Sequence, residues 1–180
     1  MRLFIAEKPS VAKAIAAELG IVKKEGTSIV CQGDNTVTWC FGHLLEQAEP
    51  DYYLPETVPK TKKGKKIWRM QDLPIFPKEW LTLPKTDAGV KKQLSAIGKL
   101  IKSAKSLVNA GDPDREGQLL VDEVIEHFKS KKPVERFWVS AVDPASIRKG
   151  LQSLKQNTDY VGMRDAARAR SRADWLIGMN

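Results

Sequence analysis

SLVNAGDPDREGQLLVDEV, Ser106 to Val124, changes character twice. It opens on an apolar run through Leu107 and Val108 that reads as a short buried strand, and it closes on Leu120 and Val124, which with Phe128 recur at helical spacing. Between them GDPDREG, Gly111 to Gly117, sets Asp112, Asp114 and Glu116 at alternating positions. A strand that runs through a turn straight into a helix is the unit of a mostly parallel α/β sheet, where ligands sit beyond the carboxyl ends of the strands.

Three carboxylates on one tight turn repel each other, which costs stability unless a cation neutralises them. Oxygen donors with no soft ligand nearby favour Mg²⁺ or a similar hard ion, with Mn²⁺ or Ca²⁺ able to substitute. A calcium EF-hand is the nearest alternative, because DPDREG is followed by Glu123 at almost the right distance. Against it, Glu116 stands where Asp or Asn is expected, and Leu119, Leu120 and Val121 fill the coordinating half of such a loop. Capping of the following helix also explains an acid here, but one acid is enough for that.

Working outward, RLFIAE at the N-terminus reads as a second buried strand, ending at Glu7. PSVAKAIAAELG then takes up helical spacing through Val11, Ile15 and Leu19, with Pro9 suited to its start and Gly20 to its end. Pro9 imposes extended geometry on Lys8, so Glu7 and Lys8 are expected to project together into the crevice at the strand end; an ordinary solvated pair is the other reading. Cys31 and Cys40 flank the turn-like GDN of IVCQGDNTVTWCF and are expected to face each other across a hairpin as buried thiols.

From Glu46 to Lys85 prolines at 50, 55, 59, 74, 77 and 84 predict a loop-rich insertion without regular elements. Inside it VPKTKKGKKIWR is strongly basic, read either as a phosphate contact or as a solvated loop over 59–69. GVKKQLSAIGKLIKSA is an amphipathic helix with lysines on its wet face, VERFWVS a further strand with Trp138 in the core, and DPASIRKGLQSL a helix capped by Asp143. The last stretch, from Asn157, keeps helical periodicity with no stop signal, which suggests that the chain continues in a longer protein.

Across 180 residues Lys and Arg exceed Asp and Glu by 30 to 22, a net charge of +8 that points to a polyanion as partner. The opening apolar run is too short for a signal peptide and no later stretch approaches a membrane span, so the cytoplasm is the default location and no membrane partner is expected. The two cysteines, without CxxC spacing, do not make a zinc site.

AEKPSVAKAIA, WCFGHLLEQ, DLPIFP, GDPDREGQLLVDEV and ARARSRADWLIGMN, in this order, resemble bacterial type IA DNA topoisomerases across almost the whole chain. The resemblance implies a Toprim domain over 1–155 with the insertion at about 46–85, and over 156–180 the start of a following helical DNA-binding domain. It implies Glu7, Asp112, Asp114 and Glu116 as the Mg²⁺ site, Lys8 at the scissile phosphate, and Glu7 as general acid. A tyrosine would attack single-stranded DNA and become joined to the 5′ phosphate, a second strand would pass, and the break would be resealed without ATP. Arg168 and Arg172, four apart, can share one helical face towards the DNA backbone, while Arg170 and Asp174 match the family's active-site edge. His43 lies in a family motif and could approach DNA or be structural.

The same resemblance makes single-stranded DNA the partner, a helicase or single-strand-binding protein its companion, the nucleoid its place and a monomer its state. Tyr52, Tyr53 and Tyr160 are the only tyrosines and none sits in the family's nucleophile motif. The chain alone is therefore expected to bind metal and to cut nothing. The acidic pattern by itself also fits a primase, an OLD-type nuclease or a recombination-mediator DNA-binding module; AEKPS and SRADWLIG favour the topoisomerase.

Overall fold

The computed structural model describes residues 1–180. In β1 (Arg2–Ala6), Leu3, Phe4, Ile5 and Ala6 are all fully buried, so side chains on both faces of the strand are covered and it must lie inside the sheet. The chain continues through α1 (Pro9–Leu19), β2 (Ile21–Glu25), β3 (Ser28–Cys31), β4 (Asn35–Trp39), β5 (Leu45–Gln47) and β6 (Thr82–Pro84). Then follow α2 (Ala88–Ser103), β7 (Ser106–Ala110), α3 (Arg115–His127), β8 (Val134–Arg136), α4 (Pro144–Gln152), β9 (Lys155–Gln156) and α5 (Val161–Met179).

Seven strands form one sheet in the order β2-β3-β4-β1-β7-β8-β9. The central four, β4, β1, β7 and β8, are mutually parallel, and antiparallel strands close both edges. Alternation along the central strands separates two cores. Leu3, Ile5 and Leu107 face α2 and α3 with Leu94, Ile97, Val121 and Val124, while Phe4, Ala6 and Val108 face α1 and α4 with Val11, Ile15 and Ile147. Burying each large apolar side chain contributes about 1.5–3 kcal/mol, and both helical layers draw on that.

The α/β class, the parallel centre, and helices on both faces agree with the sequence reading. Several local expectations need correction. Cys31 lies on the α1 face and Cys40 on the α2 face, both as buried free thiols, because Cys31 is paired with Asn35 and Cys40 lies beyond the end of β4. The β3–β4 turn itself is as read, with Gly33 and Asp34 both at positive φ. Strand β8 stops at Arg136, so Trp138 lies outside the sheet, half-buried and stacked on Tyr160 at 4.7 Å. Edge strands β2 and β9 are exposed along their whole length, β2 including Ile21 and Val22, so no alternation of buried and exposed residues reveals them. The proline-rich insertion does hold a small sheet: β5 pairs with β6, and Pro84 is tolerated at the end of a two-stranded ribbon.

Candidate functional site

Strands β1 and β7 run parallel and in register, with Ala6 opposite Ala110, so the residues that follow each strand emerge side by side. Glu7 and Lys8 thus meet Gly111 and Asp112. The Asp112 backbone N–H donates to Glu7 Oε2 at 3.0 Å, and Lys8 Nζ donates to Asp112 Oδ2 at 2.7 Å. The hydrogen bond from Lys8 to Asp112 raises the lysine pKa above its ordinary value, against some desolvation, and the charges of Glu7 and Asp114 add to it.

This approach is possible because residues 111 and 117 are glycines. A Cβ on Gly111 would strike the Gly117 carbonyl, and one on Gly117 would strike the Asp112 backbone and lie 2.8 Å from Glu7 Oε2. The acidic turn is therefore folded tightly over the start of α3. Helix α3 begins at Arg115, earlier than its apolar spacing suggests, because Asp114 is its N-cap and accepts from Gly117 N–H at 2.7 Å.

Glu116 points away from this pair, towards the end of β4. Its Oε2 lies 3.6 Å from His43 Nε2, and Glu123 Oε2 lies 3.7 Å from His43 Nδ1. The Glu123 carboxylate holds the His43 pKa above the ordinary histidine value, opposed by partial desolvation and helped by Glu116. These groups line a cavity of about 350 Å³ with Lys85, Gln47 and Ser171. The structure thus unites Glu7, Lys8 and Asp112, sets Asp114 into a helix cap beside them, and turns Glu116 to His43. No three Asp, Glu, His or Cys side chains converge as ready-made metal ligands.

Beneath the acidic turn lies a polar network that sequence reasoning missed. Arg136, at the end of β8, is 0% exposed and donates through Nη1 to the carbonyls of Asn109 (3.1 Å), Gly111 (2.8 Å) and Phe137 (2.6 Å). Its Nη2 donates to the Asp112 carbonyl at 2.7 Å and its Nε to Gln118 Oε1 at 2.7 Å. Buried Asp122 accepts from Asn109, Gln118 and Asn157. In VERFWVS the arginine looks like the wet side of a half-buried strand, and in QLLVDEV the aspartate looks like a helix surface residue, so neither announced itself.

On α5, Arg168 and Arg172 do share a face, as their spacing predicts. Arg168 Nη2 meets Glu126 Oε2 at 2.6 Å, the Arg172 guanidinium lies 5.2 Å over the Trp80 ring, and both line a cavity of about 240 Å³. Arg170 and Asp174 face elsewhere, 70% and 72% exposed, and pair with each other at 3.8 Å. Trp175 is buried against Tyr53 and Trp80 and donates to the Ala48 carbonyl at 3.1 Å, which locks α5 onto the insertion.

The basic segment is a hairpin, bridged between Lys60 and Lys66 with Gly64 at positive φ. Lys60 and Lys66 pair with Glu56, Lys65 pairs with Glu49, and Trp68 donates to Asp51 at 2.8 Å. Lys62 and Lys63 at the tip are exposed. No helix is long and apolar enough to cross a membrane.

A parallel sheet whose adjacent strand ends carry Glu7 and the Asp112-Asp114 turn is the arrangement of a Toprim domain, and the chain belongs to the Toprim domain family, which matches residues 2–142. Among individual proteins it is similar to DNA topoisomerase 3 of Haemophilus influenzae, 48% identical over 100% of this chain and 27% of that protein. DNA topoisomerase 3 of Vibrio cholerae is 47% identical over 99% of this chain and 27% of its own length. The chain thus spans about a quarter of the length of these relatives. A structure of full-length topoisomerase I from Thermotoga maritima aligns over 86% of this chain and 21% of its own, with 16% identity and a TM-score of 0.49.

Proposed function

We propose that this chain is the metal-binding part of a type IA DNA topoisomerase, which cleaves, passes and reseals single DNA strands through a 5′-phosphotyrosine without ATP. The observation that carries the reading is the meeting of Glu7, Lys8 and Asp112 at one point, within 3.0 Å contacts, from segments 104 and 105 positions apart. An acid, a cation and a further acid at a strand-end crevice are the groups that phosphodiester chemistry uses. Residues 1–155 would form the Toprim unit, and 156–180 would begin a DNA-contacting helical segment.

The donor set suits Mg²⁺. Glu7, Asp112, Asp114 and Glu116 offer only hard carboxylate oxygens, and Gly111 and Gly117 let the turn fold close enough to Glu7 for its acids to share one strand-end crevice. Those four would hold the ion, with Glu116 turning from His43 towards the crevice, and the bound ion would supply charge that keeps phosphate and 3′ end in register for resealing. Lys8 Nζ offsets negative charge on the phosphoryl oxygens as the attacking tyrosine's oxygen bonds to phosphorus and the bond from phosphorus to the 3′ oxygen breaks. Glu7 carries the proton that the departing 3′ oxygen takes up. Arg168 and Arg172 on α5 hold the strand's backbone with His43 at its edge, while Arg170 and Asp174, on another side of the helix, would meet a different part of the DNA.

None of this chain's three tyrosines fits the nucleophile's role: Tyr53 is packed between Trp80 and Trp175, Tyr160 is stacked on Trp138, and the exposed Tyr52 lies beside the basic hairpin with Lys60 and Lys66. The test is calorimetric titration of the 180-residue chain with Mg²⁺, beside an assay on supercoiled plasmid. The wild-type chain binds Mg²⁺, Asp112→Asn does not, and neither relaxes the plasmid. Equal Mg²⁺ binding by Asp112→Asn, or relaxation by the chain alone, overturns the reading.

A further inference from the structure

A fully buried arginine whose guanidinium touches no carboxylate is unusual, because burying a charge is costly unless it is paired. Arg136 is such a residue. All five of its hydrogen bonds go to neutral acceptors: four backbone carbonyls and the Gln118 amide oxygen. Desolvation pushes its pKa down to about 10, so it remains a cation at neutral pH, with the charges of Asp122, Asp114 and Asp112 around it. Three of the carbonyls belong to Asn109, Gly111 and Asp112, along the stretch that carries β7 into the acidic loop.

We propose that Arg136 is a positioning residue for the acidic turn: it clamps the carbonyls of Gly111 and Asp112 from below and thereby fixes the backbone from which Asp112 and Asp114 reach a divalent cation. The clamp works through geometry and charge together. A planar fork can satisfy carbonyls on Nη1 and Nη2 at once, which a lysine ammonium on a flexible stem cannot reproduce. Its positive charge under the turn also offsets the repulsion among the acids, so the turn holds its shape before an ion arrives.

The clamp itself is held from the side of α5. Gln118 joins Arg136 to Asn157 at 2.8 Å, Asn157 also donates to Asp122 at 2.8 Å, and the Arg136 guanidinium lies 4.8 Å over Trp138, which stacks on Tyr160 at the foot of α5. The helix proposed to contact DNA and the turn proposed to hold metal therefore share one rigid support.

This inference rests on the acidic turn being the metal site, so two measurements are needed to separate it from that reading. The first is Mg²⁺ titration of Arg136→Lys and Arg136→Gln in the whole chain, with Ile101→Val in the far core as a control that loosens packing without touching the turn. Substitution of groups that orient metal ligands costs 10–100-fold in affinity, so Arg136→Lys should bind Mg²⁺ roughly tenfold more weakly and Arg136→Gln weaker still, while Ile101→Val binds as the wild type does. The second is hydrogen exchange at the amides of Gly111, Asp112 and Gly117 without metal, which should quicken in Arg136→Lys and not in Ile101→Val. If Arg136→Gln does not fold, Arg136→Lys decides. Unchanged affinity in a folded Arg136→Lys overturns the proposal. If the wild type binds no Mg²⁺ at all, the metal reading fails and takes the positioning of ligands with it, whereas unchanged exchange in Arg136→Lys would remove the clamp alone.

Discussion

Asp112 Oδ2 lies 2.7 Å from Nζ of Lys8, a residue 104 positions earlier in the chain. The contact follows from the in-register parallel pairing of β1 with β7, which delivers both residues to the same edge of the sheet. Lys8 thereby serves as an internal counter-ion to the acid that is proposed to bind metal.

Lys8→Ala should therefore bind Mg²⁺ more tightly than the wild type, since the ion no longer competes with an ammonium for Asp112; calorimetry at matched ionic strength reads this. The pair also has a pH signature. Because Asp112 raises the folded-state pKa of Lys8, the stabilisation is complete below the ordinary lysine value of about 10.4 and is lost as pH rises through the raised value. The difference in urea midpoint between wild type and Lys8→Ala should be flat from neutral pH up to about the ordinary lysine value of 10.4 and shrink above that. A flat difference up to the most alkaline pH at which the chain stays folded would disprove the coupling.

Asp114 has two separable roles. Asn caps a helix about as well as Asp, so Asp114→Asn should keep the thermal midpoint while weakening Mg²⁺ binding. Asp114→Ala should weaken Mg²⁺ binding and also lower the thermal midpoint, with a loss of about 1 kcal/mol for the missing cap at Gly117 N–H. Paired thermal melts and titrations distinguish the two roles.

Gly117→Ala should be damaging out of proportion to one methyl group. The new Cβ would meet the Asp112 backbone and Glu7 Oε2, so the turn must open, at about 1–3 kcal/mol, and Glu7 must lose its hydrogen bond from Asp112. Chemical denaturation measures the first effect, and the amide resonance of Asp112 reports the second.

His43 should titrate above the ordinary histidine value, and Glu123→Gln should lower its midpoint. Since the folded pKa is raised, the stabilisation from the pair is complete below about 6.5 and is lost as pH rises through the folded value. Imidazole resonances followed from pH 5 to 9, assigned with His43→Ala, give the midpoint directly.

The basic hairpin divides by residue. Lys60, Lys65 and Lys66 are matched by Glu49 and Glu56, which leaves Lys62 and Lys63 to meet a phosphate backbone. If the tip touches DNA, removing both lysines should reduce the slope of log K against log salt for oligo(dT) by about 1.4, from roughly 0.7 per phosphate contact. An unchanged slope marks the hairpin as solvated surface.

Much of the architecture was legible in the chain itself. Hydrophobic spacing locates β1, α1, α2, β7 and α3 because each buries an apolar face whose period survives in the residues, and the Asp143 cap before Pro144 locates α4. Edge strands β2 and β9 were hidden, since they bury little and are held by backbone hydrogen bonds that leave no compositional trace. Strand β8 is shorter than its sequence suggests: Phe137 still donates to the Asn109 carbonyl at 2.9 Å and stays buried on the α1 and α4 face, but residue pairing with β7 ends at Arg136.

The site shows the same division. Local sequence determined the acidic turn between strand and helix and the placing of Arg168 and Arg172 on one face, because these depend on spacing along a single element. Only the tertiary structure decided that Glu7 and Asp112 share a hydrogen bond, that Glu116 turns to His43 and that Arg136 lies beneath the turn. Those contacts join strands far apart in the chain, and their geometry is set by sheet order and register, which no residue carries alone.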